Sequence, residues 1–338
     1  MNIIQSIVLG IIQGVTEFLP ISSSGHLVII PYFFNWDYPP LYFTVTVHFA
    51  TLAAVVTIFH REIYRIIRAV ILGIFKRSER ATTSFKLGIL LIVASIPAAA
   101  AGYFLNEYVD NLFSSPLVVA AFLLVTALIL WLGERRGSRI EGGTVNNKEW
   151  RDRRDRLGRR DRWERLNRWD NRNHRYPSGR HEAAVGSGSG SELIRETEIE
   201  DGSVKKVRFN FFIALMTGIG QAIAILPGIS RSGSTISFAR FFGVKRSEAV
   251  RFSFLLSVPI IFGTFIFEIY HSYGVIFEGG LNIVLNLLAG FFFAYLAGML
   301  AIKFLVYLAK RKNLNIFAVY CVALSAATFV FYIIKRFI

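Results

Sequence analysis

Read for hydrophobic and polar positions alone, the chain alternates long apolar runs with short polar breaks. Crossing a bilayer takes about 20 apolar residues for ~30 Å of hydrocarbon. The runs 42–59, 87–105, 114–132, 252–269, 281–308 and 315–334 approach or exceed that length and are predicted spans. Two further runs are interrupted in the middle. The stretch 3–16 stops at Pro20 and a row of serines and resumes over 25–33, and the stretch 210–226 stops at Pro227-Gly228 and resumes over 236–242. Each reads as a re-entrant hairpin of half-length helices, 3–33 and 210–242, because irregular backbone at membrane depth is tolerated only where it lines a protein cavity. Pro97 predicts a kink in the second span. The alternating segments of about ten residues that mark a membrane β-barrel are absent from the sequence.

Composition supports this pattern. Hydrophobic residues make up 53% of 338 and charged residues only 18%, against about 25% in ordinary soluble domains. The net charge of +15 would suggest nucleic acid in a soluble chain, but basic cytoplasmic loops explain it here. Cys321 is the single cysteine, so an intrachain disulfide framework is excluded; its apolar surroundings predict a core residue. Met1-Asn2-Ile3-Ile4-Gln5 lacks the basic start of a cleavable signal peptide.

The two interrupted runs resemble one another. Laying Gly10 on Gly218 also brings Ile11 onto Ile219, Gln13 onto Gln221, Ile21 onto Ile229, Ser22 onto Ser230, Ser24 onto Ser232 and Gly25 onto Gly233, without a gap. The spans follow the same register. Residues 1–132 and 209–338 therefore read as two halves, each one hairpin plus three spans, and an odd number of spans predicts an inverted-topology repeat. The basic connections 61–86, 133–208, 240–251 and 309–312 then fall on one side, the cytoplasmic side by the positive-inside rule. Links 106–113 and 270–279, without Lys or Arg, fall on the other, where Lys335-Arg336 dissents.

Residues 133–208 differ in kind. An arginine-rich stretch from Arg151 through Arg165 precedes the run Gly186-Ser187-Gly188-Ser189-Gly190-Ser191. This is a charged cytoplasmic insertion with a flexible linker, too polar for a packed core. Anionic lipid is the ligand that its arginines and Trp150, Trp163 and Trp169 would suit. The glycine–serine run also allows a fusion scar.

The chemistry lies in the hairpins, since polar groups at membrane depth are costly unless paired or used. The first supplies Gln13, Glu17, Ser22, Ser23, Ser24 and His26; the second supplies Gln221, Ser230, Arg231, Ser232, Gly233, Ser234 and Thr235. Gln13 and Glu17, four apart, share a helix face. The repeat aligns Ser23 with Arg231 and Glu17 with Ile225, so one half suits acid–base or nucleophilic work and the other suits holding an anion. An arginine fork and N–H groups at a helix start fit phosphate. A hydroxyl nucleophile needs a base, and Glu17 or His26 would serve. A simpler role for Arg231 is counter-ion to Glu17, locking the hairpins together. Broken helices in inverted repeats are also the signature of secondary transporters, so a transporter is the alternative reading.

The stretches Gln13-Gly14-Val15-Thr16-Glu17-Phe18-Leu19-Pro20-Ile21-Ser22-Ser23-Ser24-Gly25-His26 and Leu226-Pro227-Gly228-Ile229-Ser230-Arg231-Ser232-Gly233-Ser234-Thr235 resemble the two signature motifs of the bacitracin-resistance undecaprenyl-diphosphate phosphatase family. The resemblance covers about 1–132 and 209–338; the 133–208 segment departs from the short connection usual in the family. It implies removal of the terminal phosphate from a C55 polyprenyl diphosphate, which recycles the carrier for cell-wall assembly. It assigns catalysis to Glu17, Ser23 and His26, and phosphate binding to Arg231; Ser22, Ser24, Ser230, Ser232, Gly233 and Thr235 of the two Gly–Ser turns are the further phosphate-binding candidates. Gln13 stands where some members have Glu, which weakens a two-carboxylate metal site. The resemblance still implies a divalent cation, Mg²⁺ or Ca²⁺, near Glu17 with support from Gln13 and Gln221. The implied setting is the inner (plasma) membrane, with the pocket facing the outer side. The implied partners are the lipid substrate, membrane lipids and a second copy of the chain, with no nucleic acid.

Overall fold

A computed structural model describes residues 1–113, 115–141, 209–278, 280–311 and 313–337. The insertion's arginine-rich stretch, its tryptophans and its glycine–serine run lie outside the described residues. Met1–Ile140 and Arg208–Ile338 form one compact unit, and Glu141–Val207 are a second. The helices of the first are α1 (Ile3–Phe18), α2 (Ser23–Phe34), α3 (Leu41–Phe75), α4 (Thr83–Phe113), α5 (Pro116–Glu141), α6 (Phe211–Ile223), α7 (Arg231–Phe241), α8 (Arg246–Glu278), α9 (Gly280–Arg311) and α10 (Asn315–Phe337). No strand occurs among the described residues.

Among the described residues six helices, α3, α4, α5, α8, α9 and α10, contain segments long and apolar enough to cross a membrane. Large apolar side chains such as Ile92, Leu128, Leu288, Leu300 and Val319 stand exposed on them, a surface that suits lipid and not water. This is an all-α, multi-pass membrane protein. The first span runs on past its expected end at 59: α3 bends at the non-helical Phe59 and continues to Phe75. Arg61, Glu62 and Arg65 in this extension are charges that read as a loop but lie on helix.

The four short helices are built by matching local devices. Asn2 caps α1, its side chain accepting from Gln5 N while Gln5 Oε1 accepts from Asn2 N, each at 2.9 Å. The register that joins Gly10 to Gly218 carries Asn2 onto Asn210, which caps α6 by accepting from Ile213 N at 2.9 Å. Ser22 caps α2 by accepting from Gly25 N at 3.2 Å, and Ser230 caps α7 by accepting from Gly233 N at 3.0 Å.

Packing exchanges the halves. α1 lies along α9, and α6 along α4, so the first helix of each hairpin rests on the second span of the opposite half. Glycines permit the approach. A Cβ on Gly10 would meet Gly290 O at 2.6 Å, and one on Gly14 would meet Gly298 N at 2.8 Å. A Cβ on Gly218 would meet the Ala94 backbone, with Cα at 2.9 Å. The hairpin tips meet each other as well: positions for a Cβ on Gly25 and on Gly233 lie 3.4 Å from Gly228 Cα and Pro20 Cβ, respectively.

Candidate active site

α7 is the least apolar of the short helices, yet Ser232, Ser234, Thr235, Ser237 and Arg240 on it are all buried. Buried polar surface of this kind has to be paired or used. Its N-terminus begins at Arg231, opposite the C-terminal end of α1.

Glu17 is the centre of the arrangement. It is 6% exposed. Oε2 accepts from Gln13 Nε2 at 2.8 Å and from Ser23 Oγ at 2.5 Å, and Oε1 accepts from Arg231 Nη2. One carboxylate thus joins both hairpins. Arg231 is the first residue of α7, where the helix dipole disfavours a cation. Pairing with Glu17 compensates that position. An anion entering here would meet both the guanidinium and the helix N-terminus, whose first N–H groups have no acceptor within their own helix.

Backbone geometry sets Ser23. Ser22 has φ +69°, a conformation rare outside glycine. The turn directs Ser22 O to accept from His26 N at 3.2 Å and from His26 Nδ1 at 2.7 Å. Accepting this proton from Nδ1 leaves His26 Nε2 as the ring's acceptor, and it takes the Tyr320 hydroxyl at 2.7 Å. The sequence pattern offers His26, like Glu17, as a base for Ser23. Instead both its nitrogens are engaged elsewhere, it is 3% exposed, and its ring stacks on Tyr320 of α10.

A different imidazole faces the carboxylate. His48 Nε2 of α3 lies 3.7 Å from Glu17 Oε2, while its Nδ1 bonds Thr44 O at 2.7 Å. A lone histidine in an apolar span gave little signal, although Thr44, Thr46 and Thr51 on the same helix marked its polarity. Tyr320 could not be found from the motifs, being 294 residues from His26. Thr126 of α5 likewise lies outside both motifs. Its Oγ1 donates to Gly228 O at 2.9 Å and accepts from Ser230 N at 3.0 Å, pinning the second turn.

The residues expected to bind phosphate divide. Ser22 and Ser230 are helix caps, at 3.3 Å from Ser24 Oγ and 3.2 Å from Ser232 Oγ. Ser232 Oγ donates to Leu19 O at 3.1 Å, a second bond between the tips. The Gly233 N–H is spent on Ser230 Oγ. Thr235 Oγ1 is 2.6 Å from Ser253 Oγ and bonds the carbonyls of Arg231 and Ser232. Among the described residues of the two hairpins, Gln13 Oε1, Ser234 Oγ and both amide atoms of Gln221 are buried without a hydrogen bond. Buried polar atoms without partners call for a ligand, ion or water.

Among the described residues no three His, Cys, Asp or Glu side chains are grouped closely enough to hold a metal unaided. Gln13 Oε1 and the Glu17 carboxylate, one helical turn apart, nevertheless offer two oxygen donors. That fits a hard cation taking its other ligands from substrate phosphates and water.

The profile of the family described as Bacitracin resistance protein BacA matches residues 6–157 and 189–327, leaving out 158–188 within the charged insertion. Relatives named undecaprenyl-diphosphatase are similar over nearly the whole chain. One from Thermomicrobium roseum is 34% identical, covering 96% of this chain and 96% of its own. One from Desulforudis audaxviator is 32% identical over 99% and 100%, and one from Desulforapulum autotrophicum is 33% identical over 95% and 95%. With both hairpin motifs inside the matched residues, the chain belongs to the bacitracin resistance protein (BacA) family.

Proposed function

We propose that this protein hydrolyses undecaprenyl diphosphate to the monophosphate and free phosphate, at the cluster Glu17–Ser23–Arg231. The observation that carries this reading is the single carboxylate shared by a hydroxyl from one hairpin and a guanidinium from the other. Such a site is made for a phosphorylated substrate: a cation to hold the terminal phosphate, and a nucleophile already donating its proton to a base.

Arg231 turns from Glu17 to the terminal phosphate, whose charge exceeds that of a carboxylate. Ser23 Oγ attacks the terminal phosphorus, and its proton passes to Glu17 Oε2. The bond from that phosphorus to the bridging oxygen breaks, and the polyprenyl monophosphate leaves as an anion. Water then attacks the phosphoserine, the bond from phosphorus to Ser23 Oγ breaks as Glu17 returns its proton to that oxygen, and phosphate departs carrying both protons of the water. Gln13 holds Glu17 in place, and His26 holds the strained turn that presents Ser23. A divalent cation, Mg²⁺ or Ca²⁺, would be held by Glu17 and Gln13, where it would offset diphosphate charge.

The two halves are read as an inverted repeat in the inner (plasma) membrane, with the tips opening to the outer face and 61–86, 240–251 and 309–312 in the cytoplasm. The matched caps Asn2 with Asn210 and Ser22 with Ser230 support the repeat. The products serve the cell-wall carrier cycle.

Purified protein in detergent, given undecaprenyl diphosphate, is expected to release phosphate, and Arg231→Ala to lose most of that release. Lipid movement across vesicles without phosphate release would replace this reading with a flippase.

A further inference from the structure

At the far end of α7 from Arg231, a second basic site is formed with the end of α5. From Pro116 to Gly133 α5 carries no charged residue, a length close to the hydrocarbon thickness. Arginines appear directly after it, at the depth of lipid headgroups. Leu132, Arg135, Arg136, Arg139, Ile140 and Phe241 line a depression of about 440 Å³. Aromatic rings hold two of the guanidinia in place: Arg135 lies 4.8 Å from the Trp131 ring centroid and Arg136 4.5 Å from that of Phe241. Arg136 Nε also donates to Phe241 O at 3.1 Å. Arg135, Arg136 and Arg139 make no ion pair among the described residues. The neighbouring acid, Glu134, faces inward to Arg240 and Arg246 and is 4% exposed.

We propose that this depression binds an anionic phospholipid, with the headgroup phosphate among Arg135, Arg136 and Arg139 and an acyl chain leaving along Leu132. Charge complementarity and depth select this occupant. A soluble anion would not use the apolar wall, which a lipid covers as it enters the bilayer. The ligand differs from the diphosphate substrate, and the site does not depend on the proposed reaction.

The test uses full-length protein in phosphatidylcholine nanodiscs titrated with phosphatidylglycerol, read by native mass spectrometry. The double variant Arg135→Gln/Arg139→Gln is expected to weaken phosphatidylglycerol binding about thirtyfold. Arg65→Gln/Arg68→Gln, basic positions on α3, should change it less than threefold, taken as the limit for roughly half a charge contact. Inorganic phosphate at millimolar concentration should not displace the lipid. Phosphate displacing the lipid would show a free-anion site and overturn the proposal. So would equal losses in both double variants, which mean a diffuse field, or unchanged binding in the first. Should the double variant misfold, Arg139→Gln, an exposed position, is read alone: a loss of more than about threefold supports the proposal, and no loss overturns it.

Discussion

Arg231 donates to Glu17 across the tips of two hairpins, 214 residues apart in the chain. Each residue stands where its own helix gives it little reason to be: a carboxylate at the end of an apolar helix, and a cation at a helix start. Their pairing explains both positions, and it makes either hairpin incomplete without the other.

Removing one partner should therefore cost more than removing both. Glu17→Gln and Arg231→Ala are each expected to lower kcat/KM by about 10²–10⁴-fold. Arg231→Ala also leaves a buried carboxylate unpaired, at about 3–5 kcal/mol. The double variant should be no slower than the slower single variant and should melt above Arg231→Ala alone. A double-mutant cycle on phosphate release and thermal unfolding reads both, and additive losses would argue against a shared site.

The serines of the first hairpin should separate sharply. Ser23 shares an oxygen with Gln13 on Glu17, whereas Ser24 approaches Ser22 at 3.3 Å. Ser23→Ala is expected to lose at least about 10³-fold in kcat, as a missing nucleophile does. Ser24→Ala should stay within about threefold, the cost of a weak hydroxyl contact. Steady-state phosphate release distinguishes them, and equal effects would remove Ser23's special role.

His26 should act through position. Tyr320→Phe removes one hydrogen bond of a buried imidazole and is expected to cost about 1–3 kcal/mol of stability. His26→Ala should lower the melting temperature and the activity together, since the Ser22 turn loses its clamp. An active-site acid would instead lose activity at unchanged stability, and that outcome for His26→Ala would contradict the positioning role.

The contact of α1 with α9 sets where Glu17 stands. Gly14→Ala places a methyl 2.7 Å from Ala297 Cβ and against backbone that has no space to move. Overpacking of this kind costs about 1–3 kcal/mol. The melting temperature should fall, and kcat with it as Glu17 shifts. An unchanged melting point would mean that the two helices lie further apart.

The hairpins were legible because their cost is local. Prolines, serines and a carboxylate within an apolar run announce themselves, and Gln13 with Glu17 four residues on gives a hydrogen bond from spacing alone. The serine caps were visible as serines, but their commitment to Gly25 and Gly233 was not, so they read as free phosphate ligands. Tertiary partners stayed hidden for a physical reason. His48, Thr126 and Tyr320 sit singly in long spans, where one polar residue barely alters an apolar pattern. The continuation of α3 past Phe59 was obscured because charges at a membrane surface look the same on helix as on loop.

Trapping the phosphoryl group identifies the nucleophile directly. Purified protein is mixed with undecaprenyl diphosphate labelled in its terminal phosphate, quenched within milliseconds and mapped by mass spectrometry. Label is expected on Ser23 and is expected to be absent in Ser23→Ala and in Arg231→Ala. Label on His26, or full phosphate release by Ser23→Ala, would contradict it.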